Sequence, residues 1–352
     1  GVDSGNNDND PTFNLQSGSI SVGGSVVLNE PNGSAVTFTL ASGAQTGTLT
    51  LSGATPFSNT GAPTFTANGT SATVIYSGAA QTVNNVTYTN LTLSGSGSKT
   101  TTGVTVNGVL SMEGTATASA APTYGGSATL QYNTATARTA GVEWLNTFAA
   151  TGGVIIKNTG VITLNAAKQF GNNTNVPLNI NSGATLSTSA SNFGLTFHGD
   201  FIIAGTLTAG SSSVTIAGTT TTHNIGGFTT TGTVSMTKTG GTATLTSNVN
   251  GGGLTINGNG GTLNLGTGLT HTFTGTWTRT NGTLNGGSST LKLGAGFSGT
   301  GGTFTAGTGT VEWNAAGAQT LALVTYYNLT LSGSGTKTFG GSTTISNILS
   351  IN

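Results

Sequence analysis

One phrase occurs twice in this chain: YTNLTLSGSGSKT spans residues 88–100 and YYNLTLSGSGTKTF spans residues 326–339. The match grows on both sides until residues 64–114 face residues 303–352 with a few short gaps. Gln81 falls opposite Gln319, Tyr88 opposite Tyr326, Asn90 opposite Asn328 and Lys99 opposite Lys337. Leu91 and Leu93 likewise face Leu329 and Leu331. Duplication explains this most simply. A chain made of such units must bury the apolar face of each one against its neighbour.

A shorter element recurs more often. TFTANGTSATVIY begins at Thr64, TYGGSATLQY at Thr123, TLTAGSSSVTI at Thr206, TLNGGSSTLKL at Thr283 and TFTAGTGTVEW at Thr303. Each reads as strand, small-residue corner, strand. The last two starts are 20 residues apart, the length of one solenoid turn. Segments such as VTFTL, VIIKN, VITLN and GTVSMTKTG alternate apolar residues with Thr, Ser or Asn between glycines, the signature of extended strands. Only AAKQF near Ala166 hints at a helical turn. The predicted fold is all-β: a parallel β-helix, or β-solenoid, of about 20 residues per coil over residues 61–352. Leu91, Leu93, Leu329 and Leu331 should point inward, leaving Asn90 and Thr92 outside.

Composition narrows the partners. Eight basic and eight acidic residues balance at 5% charge, without the Lys/Arg cluster that phosphate binding needs, so nucleic acid is not an expected partner. No apolar run is long enough for a membrane-spanning helix, and none is expected. The absence of cysteine rules out a disulfide framework and thiolate metal sites. The apolar fraction of 34% is enough to fold a chain patterned this way.

The sequence GAQT followed by TYYNLTLSGSGTKT and an alternating strand pair resembles the Gly/Thr-rich repeat regions of large secreted bacterial surface proteins. The resemblance covers residues 64–114 and 303–352 best. It implies a right-handed parallel β-helix, export, and a role in adhesins or surface fibres. It brings no catalytic residues.

The polar start GVDSGNNDND suggests a processed, exported chain, and residues 1–11 are expected to be a flexible tail or linker. A calcium loop on Asp3, Asp8 and Asp10 is the sharper alternative, but the spacing lacks the glycine and distal glutamate of an EF-hand loop. Residues 12–60 carry strands without the long repeat and read as an N-terminal β cap or small β module. ISNILSIN at the other end stops within the repeat with no polar cap, an edge that a second copy of the chain could cover by head-to-tail stacking or strand donation.

Chemistry-bearing residues are sparse. Glu30, Glu113, Glu143, Asp200 and Glu312 are isolated in sequence, though coiling could gather Glu143, Asp200 and Glu312. His198 in FHGD, beside Asp200, resembles a base with its orienting carboxylate, yet a histidine at a glycine corner is the plainer reading; His223 and His271 lack ligand-spaced partners. Thr270–Thr280 alternates threonine with Phe273 and Trp277 inward, one rank of the flat array that an ice-binding solenoid would need on many coils. Trp144, Trp277, Trp313, Tyr326 and Tyr327 could stack on sugars or fill the core, the latter being the simpler expectation. Sequons stand at Asn32, Asn68, Asn85, Asn90, Asn172, Asn281 and Asn328. The expectation is a non-catalytic extracellular structural protein, a self-assembling subunit of a surface filament or biofilm matrix, with neither metal nor cofactor. A carbohydrate-binding adhesin stalk and, further off, a polysaccharide-degrading enzyme are the alternatives.

Overall fold

The computed structural model describes residues 11–30, 36–219 and 222–352. Residues 1–10 and Asn32 lie outside these, and with them the tail and the calcium alternative on Asp3, Asp8 and Asp10. The described residues form strands and turns with no helix, and every strand pairing is parallel. The fold is a β-solenoid of about 14 turns, about 20 residues apart. It divides into two compact units, one of residues up to Leu145 together with Lys157–Gly160, the other of Asn146–Ile156 and Val161–Asn352.

In the first unit, one inward column runs Ile20, Leu49, Val74, Leu91, Leu110 and Leu130, and a second runs Val22, Leu51, Tyr76, Leu93, Met112 and Tyr132. From Leu49 and Leu51 onward, every member is fully buried. Each contributes roughly 1.5–3 kcal/mol of burial that no single coil could secure alone. The spacing between successive members is 29 and 25 residues at first, then 17, 19 and 20. The pairing passes through residue 60 without a break. Phe13, Phe38 and Phe65 stack in register, with neighbouring ring centroids 5.2 Å apart. Residues 12–60 thus pair in the same parallel sense as the coils that follow them.

In the second unit, Val154, Leu178, Phe201, Ile225 and Leu245 form one column. Phe148, Phe170, Phe197, Ile216, Met236 and Ile256 form another. A third runs Phe273, Leu293, Trp313, Leu331 and Ile351. The AAKQF segment is a strand, Lys168–Phe170, not a helical turn. Phe170 belongs to the second column, stacked 5.3 Å from Phe197, and this packing overrides the local preference of Ala-Ala-Lys.

The SGSG of the doubled phrase makes the corner where one sheet turns into the next. Gly95 and Gly97 have φ of 71° and 70°, and Gly333 and Gly335 have φ of 71° and 79°. A Cβ on Gly95 would lie 2.3 Å from the Ser77 carbonyl oxygen of the preceding coil. Both the dihedral and the close stacking require glycine. Gly95→Val is expected to cost about 2–4 kcal/mol, combining left-handed strain with overpacking, as read from denaturant unfolding.

Candidate functional site

Of the residues shared by the two copies of the phrase, Gln and Lys pair in register on adjoining coils. Gln81 is 3% exposed; its Nε2 donates to Leu51 O at 2.9 Å and Gly53 O at 2.8 Å, in the preceding coil, while its Oε1 accepts from Gly78 N at 2.9 Å. Lys99 pairs with Gln81 in the next coil and is fully buried. Its Nζ donates to Gly78 O at 2.6 Å, Ala79 O at 2.5 Å and Gln81 Oε1 at 2.9 Å. Burial lowers the ammonium to about 8, while three acceptors favour its charged form. Gln319 repeats the arrangement on Leu293 O at 2.9 Å and Ala295 O at 3.0 Å, and Lys337 Nζ donates to Ala315 O at 2.7 Å. Tyr88 and Tyr326 are buried and donate to Asn84 O and Ala322 O at 2.7 and 2.6 Å. Asn90 Oδ1 accepts from Val109 N, and Asn328 Oδ1 accepts from Asn347 Nδ2. The duplicated Gln, Lys and Asn side chains link one coil to the next, while the tyrosines bond within their own coil.

The carboxylates take separate places. Glu143, in the first unit, is fully buried: Oε1 accepts from Tyr132 Oη at 2.8 Å and Gly141 N at 2.9 Å, and lies 3.8 Å from Arg138 Nη2. In the second unit, Asp200 Oδ1 accepts from Asn224 N at 2.7 Å, whereas Glu312 pairs with Lys292 at 3.0 Å and accepts from Ser332 at 2.8 Å. The ladder from Asn224 through Thr244, Asn264, Asn285 and Thr305 separates the coils of Asp200 and Glu312 by five steps, roughly 24 Å at about 4.8 Å each. Coiling does not gather those two.

The histidines are structural in their contacts. His198, 8% exposed, accepts from Asn173 N through Nδ1 at 3.1 Å, so that nitrogen is already occupied. His271 accepts from Val249 N through Nδ1 at 3.0 Å and donates from Nε2 to Leu265 O at 2.8 Å, the neutral tautomer bridging two coils. His223 is 1% exposed with Nδ1 3.4 Å from Lys238 Nζ. Burial first, then Lys238, lowers His223 from 6.5 to about 4, with Asp200 opposing. A base held below its unfolded value stabilises the fold fully above pH 6.5 and loses that contribution as pH falls towards 4, by at most about 3 kcal/mol. Thermal melts across that window should fall with acid in the parent chain, and His223→Leu should flatten the profile.

The aromatic residues are core. Trp144, Trp277, Trp313 and Tyr326 are at most 1% exposed, so they form no outward sugar platform. Tyr327 is half-buried. Of the sequons, Asn68, Asn85, Asn172 and Asn281 are exposed, while Asn90 and Asn328 are half-buried in their coil-to-coil bonds.

Thr270–Thr280 does not form a single rank. Phe273 and Trp277 do point inward, but Gly275 turns a corner between them, and Thr270–Phe273 and Trp277–Asn285 join different sheets. A regular array lies elsewhere. Thr222, Thr242, Thr262, Thr283 and Thr303 pair in register on five successive coils, and Asn224, Thr244, Asn264, Asn285 and Thr305 form the neighbouring outward column. The ten residues are uncharged, and glycines at 241, 261, 282 and 302 immediately precede four of the threonines of the first column. The equivalent columns on Thr270–Phe273 and its successors contain Lys292 and Glu312.

No protein-family model, curated protein or solved structure matches this chain.

Proposed function

We propose that this chain is a non-catalytic structural element of an exported bacterial surface filament or matrix, extended by stacking parallel coils of successive copies. The supporting observation is the use made of the duplicated polar residues. Gln81, Lys99, Gln319 and Lys337 are committed to carbonyls of adjoining coils and do not converge on a shared ligand. What the chain repeats is its means of stacking. Strand Ile345–Ile351 continues the inward columns with Leu349 and Ile351 at 50% and 75% exposure. A coil of a second copy laid on it in register would bury both side chains and pair with its backbone. Sedimentation and electron microscopy should show concentration-dependent linear assembly, abolished by the double variant Leu349→Lys, Ile351→Lys. A chain that stays monomeric at every concentration refutes the proposal.

A second reading, attachment to an uncharged polysaccharide surface, is favoured by the two-column Thr/Asn array. Its hydroxyls and amides repeat at about 4.8 Å along the stack and about 6.7 Å across it. Retention of the monomeric double variant on insoluble cellulose or chitin, lost on Thr262→Lys, would support this reading, whereas thermal hysteresis without retention would assign the array to ice.

A further inference from the structure

Arg279 stands where the fold places apolar side chains. Its column runs Phe170, Phe197, Ile216, Met236 and Ile256 before reaching it. Arg279 is 8% exposed, and its guanidinium carbon sits 5.8 Å from the Trp277 ring centre and 5.6 Å from that of Phe297. Nε donates to Gly301 O at 2.9 Å, but Nη1 is buried with no hydrogen-bond partner. The ion pairs among the described residues, Arg138 with Glu143 and Lys292 with Glu312, leave Arg279 without a carboxylate. A buried cation with an unused donor is costly, and a local breach of the core pattern of this kind marks a functional position.

Arg279 lines a cleft of about 340 Å³ bordered by Phe297, Thr300, Thr320, Leu321 and Leu323. That volume falls at the small end of the range of ligand pockets, about 300–1,000 Å³. Leu323 is 49% exposed at the cleft, and Gly340 leaves it open, since a Cβ there would meet nothing within 4 Å. A planar guanidinium fork matches two carboxylate oxygens, and an apolar body would cover the leucines. We propose that this cleft, in the second unit, binds a small organic carboxylate whose oxygens pair with Arg279 and whose apolar body lies against Phe297, Leu321 and Leu323.

The test titrates benzoate into the full chain, read by calorimetry and by Trp fluorescence, since Trp277 adjoins the guanidinium. Saturable binding is expected, with benzyl alcohol about tenfold weaker or worse because it cannot accept a bidentate pair. Arg279→Met keeps the packed stem and should lose binding about tenfold or more. Gly340→Leu, which fills the cleft and leaves Arg279 in place, should do the same. Should Arg279→Met misfold, Gly340→Leu still decides the matter. Benzoate binding unchanged in either folded variant overturns the proposal, as does the absence of saturation with the parent chain. Inorganic phosphate binding as tightly as benzoate overturns the ligand class, because it would show that the apolar walls contribute nothing.

Discussion

Leu329→Asp should open the second unit locally and cost more than about 4 kcal/mol. Leu329 is fully buried between Val311 and Leu349 in an inward column. The substitution removes an apolar side chain, leaves a cavity and places an unpaired carboxylate in the core, three costs of the same sign. In a stack held by nearest-neighbour contacts the damage stays near its origin. Hydrogen exchange should therefore show loss of protection in Thr310–Trp313 and Ile345–Ile351 while Phe201–Ile203 keeps its own. Unchanged protection in the two flanking strands would contradict the inward assignment.

The second large effect concerns the buried pair in the first unit. Glu143→Leu is expected to destabilise by about 3–5 kcal/mol, because Arg138, whose side chain is 7% exposed, is left as an uncompensated buried charge. The pair itself is imperfect. Its closest approach is 3.8 Å, and Glu143 Oε2 together with Arg138 Nε and Nη1 have no hydrogen-bond partner. The double variant Arg138→Leu, Glu143→Leu should therefore recover most of the loss. A double-mutant cycle by urea unfolding measures the coupling directly; a double variant as unstable as the single one would show that the side chains are needed for shape and not for mutual neutralisation.

Much of this architecture was legible because strand parity carries over from one coil to the next. Once Leu91 and Leu93 are placed inward, Tyr76 in TVIY and Trp313 in TVEW follow, and both are fully buried. The same parity places Arg279 inward, two residues after Trp277, a signal present in WTR but obscured by the expectation that arginine faces water. Lys99 was legible as a duplicated residue but not as a buried one, because its partners are main-chain carbonyls that leave no mark in the sequence. The Thr/Asn columns were hidden for another reason. Their intervening inward residues, His223, Ala243, Leu263, Leu284 and Phe304, are of four different types, so the pairing register reveals the ranks and a sequence motif does not. Asp200 and Glu312 are held apart because each coil of about 20 residues converts distance in sequence into height along the stack, so their separation follows once coil length is known.

The Gln and Lys staples reach for peptide oxygens, which every residue possesses, and seldom for a particular partner side chain. A gene encoding such a corner can gain or lose a whole turn by recombination, and the new neighbours will still offer acceptors at the right height. Length thus becomes an evolvable quantity separate from side-chain identity, and duplication of such coils is the simplest account of the near copy at residues 303–352.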